Sequence, residues 1–126
     1  MFRMQRTLTI RVRGGIRSLP IGEIIYMEKQ DRRILVHTRT EDIRYYGTLG
    51  EAEEELDLRF THFHRSYILN MDLIRELSGG CVTMCDGSHF ELGAHTYLRL
   101  KDRYEAYLKW KRTWMKELDK YRGFTL

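Results

Sequence analysis

Proline, cysteine and long apolar runs are what this sequence has least of. Its 126 residues include one proline and two cysteines. No stretch of about 18 apolar residues occurs, so no helix able to cross a bilayer is expected. The start, Met1-Phe2-Arg3-Met4-Gln5-Arg6, lacks the apolar core of a secretory signal, and cytoplasmic residence is the expectation. Cys81 and Cys85 are too few for a disulfide framework. On a strand they would stand roughly 13 Å apart, beyond the reach of a bridge, so both are read as reduced thiols.

Catalytic signatures are missing as well. There is no Gly-x-Ser-x-Gly elbow, no His-Glu-x-x-His pair and no phosphate-cradling glycine loop. Nothing pairs a nucleophile with a base at a readable spacing, so neither an enzyme nor a small-molecule substrate nor a cofactor is expected. Cys81 and Cys85 with His62, His64, His89 and His95 lack the Cys-x2-Cys pairs of structural zinc modules. Strand alternation would also spread these side chains over both faces, and no metal is expected.

What is present suits an ordinary globular domain: 42% hydrophobic and 32% charged residues, with ten glycines. The net charge of +4 and pI near 9.2 fit a polyanionic partner without requiring one. Distribution says more. Basic residues gather at Arg11, Arg13 and Arg17, at Lys29, Arg32 and Arg33, and from Arg99 to Arg122, while acids concentrate in Glu51-Ala52-Glu53-Glu54-Glu55.

Leu8, Ile10 and Val12 alternate with polar residues as a half-buried strand does. Gly14-Gly15 turns the chain into Ile16–Leu19. Ile24–Glu28 and Ile34–Thr38 form a hairpin with a basic tip from Lys29 to Arg33, and Ile43–Tyr46 adds a strand. Thr48-Leu49-Gly50-Glu51 matches a capping box ahead of a short amphipathic helix. Ile74–Ser78, Cys81–Cys85 and His89–Leu92, separated by Gly79-Gly80 and Asp86-Gly87, read as a meander. From about His95 the period turns helical: Tyr97, Leu100, Tyr104, Tyr107, Leu108, Trp114, Met115 and Leu118 form a stripe. Packing on the sheets suits its first part, and a dimer contact suits Trp110 to Leu118.

The most distinctive segment is Phe60-Thr61-His62-Phe63-His64-Arg65-Ser66-Tyr67-Ile68-Leu69-Asn70, in which apolar and directional polar groups interleave with no simple period. It resembles the His-Arg-Ser-Tyr-Ile-x-Asn segment of LytTR domains, the DNA-binding module of LytR/AgrA-type bacterial regulators. Leu19-Pro20-Ile21-Gly22-Glu23-Ile24-Ile25-Tyr26-Met27-Glu28, then Val36-His37-Thr38, then Tyr46-Gly47-Thr48-Leu49 extend the likeness in order, from about Leu8 to Leu108.

The resemblance implies a mostly β, α+β domain: about ten short strands in three small sheets, one short capped helix and a C-terminal helix. Residues 1–108 would form the LytTR-like unit, and 109–126 a basic, aromatic helical extension of it. It also implies double-stranded DNA as partner, with loops entering two successive major grooves and the minor groove between them. Carried over by position, the contacts fall at Arg32 and Arg33 on the first hairpin tip, at Arg65, and at Ala94-His95. Where the family commonly has Ser-Arg this chain has Gly93-Ala94, leaving His95 or Arg99 to substitute, with altered or weaker base readout.

His64 is expected in the core and hydrogen-bonded to backbone, with Ser66 and Asn70 fixing the loop that presents Arg65. No receiver domain is read in the chain. The expectation is a sequence-specific transcription regulator acting as two copies on direct repeats. The alternative is an antagonist that no longer binds DNA and pairs with another regulator.

Overall fold

Ile24–Gln30 (β3) and Tyr67–Asn70 (β7) place apolar residues side by side, and that choice sets the architecture. Successive side chains of a strand point to opposite faces. A register shift in β3 between Ile24 and Tyr26 offsets that alternation once, so Ile24 and Met27 join Ile68 in one core and Ile25 joins Leu69 in another; none of the five is more than 1% exposed. A sheet built around these strands needs cover on both sides.

The computed structural model, which describes residues 7–122, supplies that cover. Arg33–Thr38 (β4), Asp42–Tyr46 (β5) and Phe60–His64 (β6) complete an antiparallel five-stranded sheet of order β5-β4-β3-β7-β6. Thr7–Val12 (β1) and Gly15–Pro20 (β2) form a separate hairpin, and Leu49–Glu53 (α1) is a short helix. Leu8, Ile10, Leu19 and Leu49 from these elements bury against one face of the sheet. Ile74–Ser78 (β8), Cys81–Met84 (β9) and His89–Glu91 (β10) make a third sheet, ordered β10-β9-β8. With the long helix Ala94–Arg122 (α2) it covers the other face through Val82, Met84, Leu100 and Tyr107. The ten strands in three small antiparallel sheets, with a C-terminal helix, are the fold class the sequence implies.

Local chemistry explains the joints. Gly79 and Gly80 both have positive φ, +59° and +78°, as the tight turn between β8 and β9 requires. The Thr48 hydroxyl accepts from the Glu51 N–H at 3.1 Å, capping α1. The expected reciprocal half differs: the Glu51 carboxylate accepts from the Thr48 hydroxyl at 3.1 Å, not from a backbone N–H. Asn70 is fully buried; its amide donates to the Ile24 carbonyl at 2.9 Å and its oxygen accepts from Asp72 N–H at 3.0 Å. It thus ties β7 to β3 and opens the 3₁₀ turn Met71–Leu73.

α2 docks through the same turn. The Tyr107 hydroxyl donates to Asp72 Oδ1 at 2.6 Å, and Lys111 Nζ reaches the same oxygen at 2.8 Å. Burial favours a neutral Asp72, but the Lys111 and Tyr107 hydrogen bonds outweigh it and hold the carboxyl below its ordinary range. The helix runs unbroken through Leu108, so residues 109–122 continue the docked helix. Trp110, which packs against the core, and Trp114 one turn on stack in parallel at 6.4 Å between ring centroids, while Met115 and Leu118 are exposed.

A second clamp joins the central sheet to the third. His37 on β4 lies between two carboxylates, its Nδ1 on Asp42 and its Nε2 2.6 Å from Asp86 Oδ2. Burial alone would lower the imidazole pKa. The two acids outweigh it and raise the value above 6.5.

Candidate nucleic-acid interface

The Phe60–Asn70 segment is a hairpin, β6–β7, turning at Arg65-Ser66. Its irregular reading has a physical cause: the register shifts between Thr61 and His64, and a bulge of this kind breaks strict alternation. His64 corrects the expectation of a core residue. It is exposed at the end of β6. Its ring nevertheless works on the loop, since Nδ1 accepts from the Ser66 N–H at 3.1 Å. Ser66 contributes its carbonyl, which accepts from Lys29 N–H at 2.8 Å and ties the Arg65 turn to the β3–β4 hairpin. Asn70, expected to fix the same loop, acts at the far end of β7 (as described above), because the hairpin separates it from Arg65 by the length of the strand.

Three clefts adjoin along one side of the domain. The first is lined by Lys29, Asp31 and Arg32 of the β3–β4 tip, by Gly47 to Gly50 at the start of α1, and by His62 and Arg65. The second runs between His62–Arg65 and Thr96 and Arg99 of α2. The third continues past Thr61–Phe63 to Arg99, Asp102 and Arg103. His62 lines all three; Arg65 joins the first to the second and Arg99 the second to the third. The result is one trough from the hairpin tip to the third turn of α2.

Of the sequence-derived candidates, the trough gathers Arg32, Arg65 and Arg99. Arg33 and His95 are exposed neighbours of lining residues and are not themselves among the residues lining these clefts. Asp31, at φ +61°, makes the sharp turn that carries Arg32; aspartate tolerates this left-handed conformation better than most side chains. Sequence reasoning missed Lys29, His62, Thr96 and Arg103. Arg103 had a legible signal, since it stands four residues after Arg99 and hence on the same helix face. His62 bridges to α1 through Nδ1, 3.0 Å from Glu53 Oε2, and its enclosed Nε2 has no partner among the described residues.

The electrostatics separate two sets of cations. Arg17 pairs bidentately with Glu41, Arg59 with Asp57, and Lys111 with Asp72. Lys29, Arg32, Arg65, Arg99 and Arg103 form no ion pair among the described residues. Arg17, Arg59 and Lys111 are thus neutralised within the domain, whereas the five cations of the trough stand close together without a carboxylate partner.

The arrangement is that of a mostly β scaffold presenting arginines without ion pairs from two hairpin tips and from one helix, a surface suited to an anion. The comparisons make the class specific. The family model of the LytTr DNA-binding domain matches residues 14–105, and the chain belongs to that family. A solved LytTr DNA-binding domain from Bacillus cereus superposes with a TM-score of 0.65 at 19% identity, over 78% of this chain and 95% of that one. No curated protein matches. Among the described residues no helix is long and apolar enough to cross a membrane.

Proposed function

We propose that the domain is a cytoplasmic transcription regulator that binds duplex DNA along this trough, with no chemistry of its own. Arg32 and Arg65, on turns, enter grooves and read base edges, a task for which the arginine fork suits guanine O6 and N7. Lys29, Arg99 and Arg103 neutralise phosphates, and Arg33 and His95 flank the same surface. The observation that carries the reading is the convergence just described: Lys29, Arg32, Arg65, Arg99 and Arg103, from two hairpin tips and a helix, line one continuous trough, and none forms an ion pair among the described residues.

Two copies on direct repeats fit a domain of this size, with the distal part of α2 as their contact. Trp114 is half-buried there, and Met115 and Leu118 are exposed at 43% and 39%. The test is gel mobility on genomic fragments followed by genome-wide binding. Specific shifts that map to repeated half-sites are the expected result. No shift at low salt, together with a stable heterodimer with another regulator, would overturn DNA binding in favour of an antagonist.

A further inference from the structure

The third sheet has an outer face that the DNA-binding reading does not use. In the β9–β10 register, Glu91 stands opposite Cys81 and His89 opposite Thr83. Side chains two apart on a strand share a face, so Cys81, Thr83, His89 and Glu91 all lie on the side away from Val82, Met84 and Phe90, which pack in the core. The tight turn between the strands is what brings them together. Of the six cysteines and histidines expected to scatter over both faces, Cys81 and His89 are the two brought together, which corrects the expectation for that pair; Cys85 falls beyond the end of β9. The Cys81 sulfur, one His89 ring nitrogen and one Glu91 oxygen lie within 4.8 Å of one another.

We propose that Cys81, His89 and Glu91 form a binding site for a divalent transition-metal ion, zinc being the best fit. A thiolate, an imidazole and a carboxylate make a donor set of the kind Zn²⁺ takes, and one that Mg²⁺ or Ca²⁺, which prefer oxygen, does not. Ligand atoms on a tetrahedral zinc stand roughly 3.4–3.6 Å apart, given bonds of about 2.0–2.3 Å. Closing the present spacing takes about 1 Å of side-chain rotation, open to residues at the surface. Both cysteines are free thiols, so the sulfur is available. The Thr83 hydroxyl is 3.2 Å from His89 Nδ1. That outer contact orients the ring and leaves Nε2 for the metal, as second-sphere partners do in established metal sites. Three protein ligands leave the fourth position to water or to a ligand from another molecule.

The placement gives the ion a structural consequence. β10 is an edge strand of three residues whose one neighbour is β9, and it leads through Leu92-Gly93 into α2. An ion shared by Cys81 on β9 and by His89 and Glu91 on β10 would clamp that edge immediately before the helix carrying Arg99.

Titration of the tag-free protein with Co²⁺ under reducing conditions is the direct test, with Zn²⁺ as competitor. The expected result is one equivalent bound with a thiolate-to-cobalt charge-transfer band, abolished by Zn²⁺. C81S should lose the band, C85S should keep it, and H89A and E91Q should each weaken binding by roughly tenfold or more. Zn²⁺ should raise the Tm of the native protein and not that of C81S. A titration without a thiolate band, a band that survives in C81S, or one lost in C85S would each overturn the site. All four positions are at or near the surface, and circular dichroism of each variant shows whether the fold is retained.

Discussion

Replacing Arg65 by alanine tests the trough most sharply, because two different losses can be separated. The trough offers five unpaired cations, Lys29, Arg32, Arg65, Arg99 and Arg103. If all five neutralised phosphates, log K would fall against log salt with a slope of about −4.5, at about −0.9 per phosphate. Raising salt from about 50 to about 200 mM would then weaken binding on the order of 500-fold. Arg32 and Arg65 reading bases instead would bring the slope nearer −2.7, the value for three phosphate contacts. An Arg65 that reads a base adds discrimination of about 1–3 kcal/mol, roughly 5- to 150-fold, between a selected operator and random duplex. The assay is fluorescence anisotropy on both duplexes across the salt series, with Arg65→Ala, Arg32→Ala and an exposed arginine from the opposite end of β4, Arg39→Ala, as control. Operator affinity should fall in the first two far more than random-duplex affinity, with the slope nearly unchanged, and Arg39→Ala should do neither. Equal loss on both duplexes, with the slope shallower by about one unit, would refute base reading by Arg65 and make it a phosphate contact. A slope near zero in the native protein would refute the trough itself.

Other expectations concern the scaffold. Asn70→Ala removes a bond to the Ile24 carbonyl and the cap on Asp72 N–H in a fully buried position, so it should cost about 2–3 kcal/mol in urea unfolding at unchanged m. Tyr107→Phe deletes a hydroxyl–carboxylate bond and should cost about 1.5–2 kcal/mol, leaving the salt slope of DNA binding as it was. His37 predicts a pH dependence. Its folded pKa is raised above 6.5, so its contribution is full below 6.5 and is lost as pH rises through the folded value. Unfolding midpoints from about pH 5.5 to about pH 8.5 should decline on the alkaline side, and Asp86→Asn should flatten that decline.

The sheets were legible because alternation and turn dipeptides are local signals: Leu8-Ile10-Val12, Gly79-Gly80 and Asp86-Gly87 each mark what the fold contains. The Phe60–Asn70 hairpin was not, because the bulge after Thr61 shifts the period in mid-strand. His64 was misplaced for a related reason. Aromatic neighbours suggest a core, and Phe60 and Phe63 are buried, but His64 at the end of β6 is exposed beside Phe63. The role of Asn70 depends on pairing with β3, a contact 46 residues away in the chain that no local pattern carries. The trough was half legible. Arg32, Arg65 and Arg99 followed from family resemblance and charge, whereas Lys29 and His62 join them through the packing of the β3–β4 tip beside β6, and Arg103 through the packing of α2 on the other side of it.

The departure at Gly93-Ala94 now has a structural reading. α2 begins at Ala94, which is exposed, so an arginine at that position would project from the first residue of the helix. Arg99 and Arg103 stand one and two turns further on, on one face of a rigid helix. The partial positive charge of the helix start adds attraction for phosphate without reading sequence. This end of the trough therefore suits backbone contact better than base reading. Arg99→Ala should weaken binding to every duplex by a similar factor and reduce the salt slope by about one unit. Ala94→Arg should increase discrimination between operators at the corresponding end of the footprint, an effect readable by selection from random duplexes. A selection profile sharpened by Arg99 itself, lost in Arg99→Ala and unaffected by Ala94→Arg, would mean that the helix has taken over base readout and that the division between reading turns and a phosphate-holding helix is wrong.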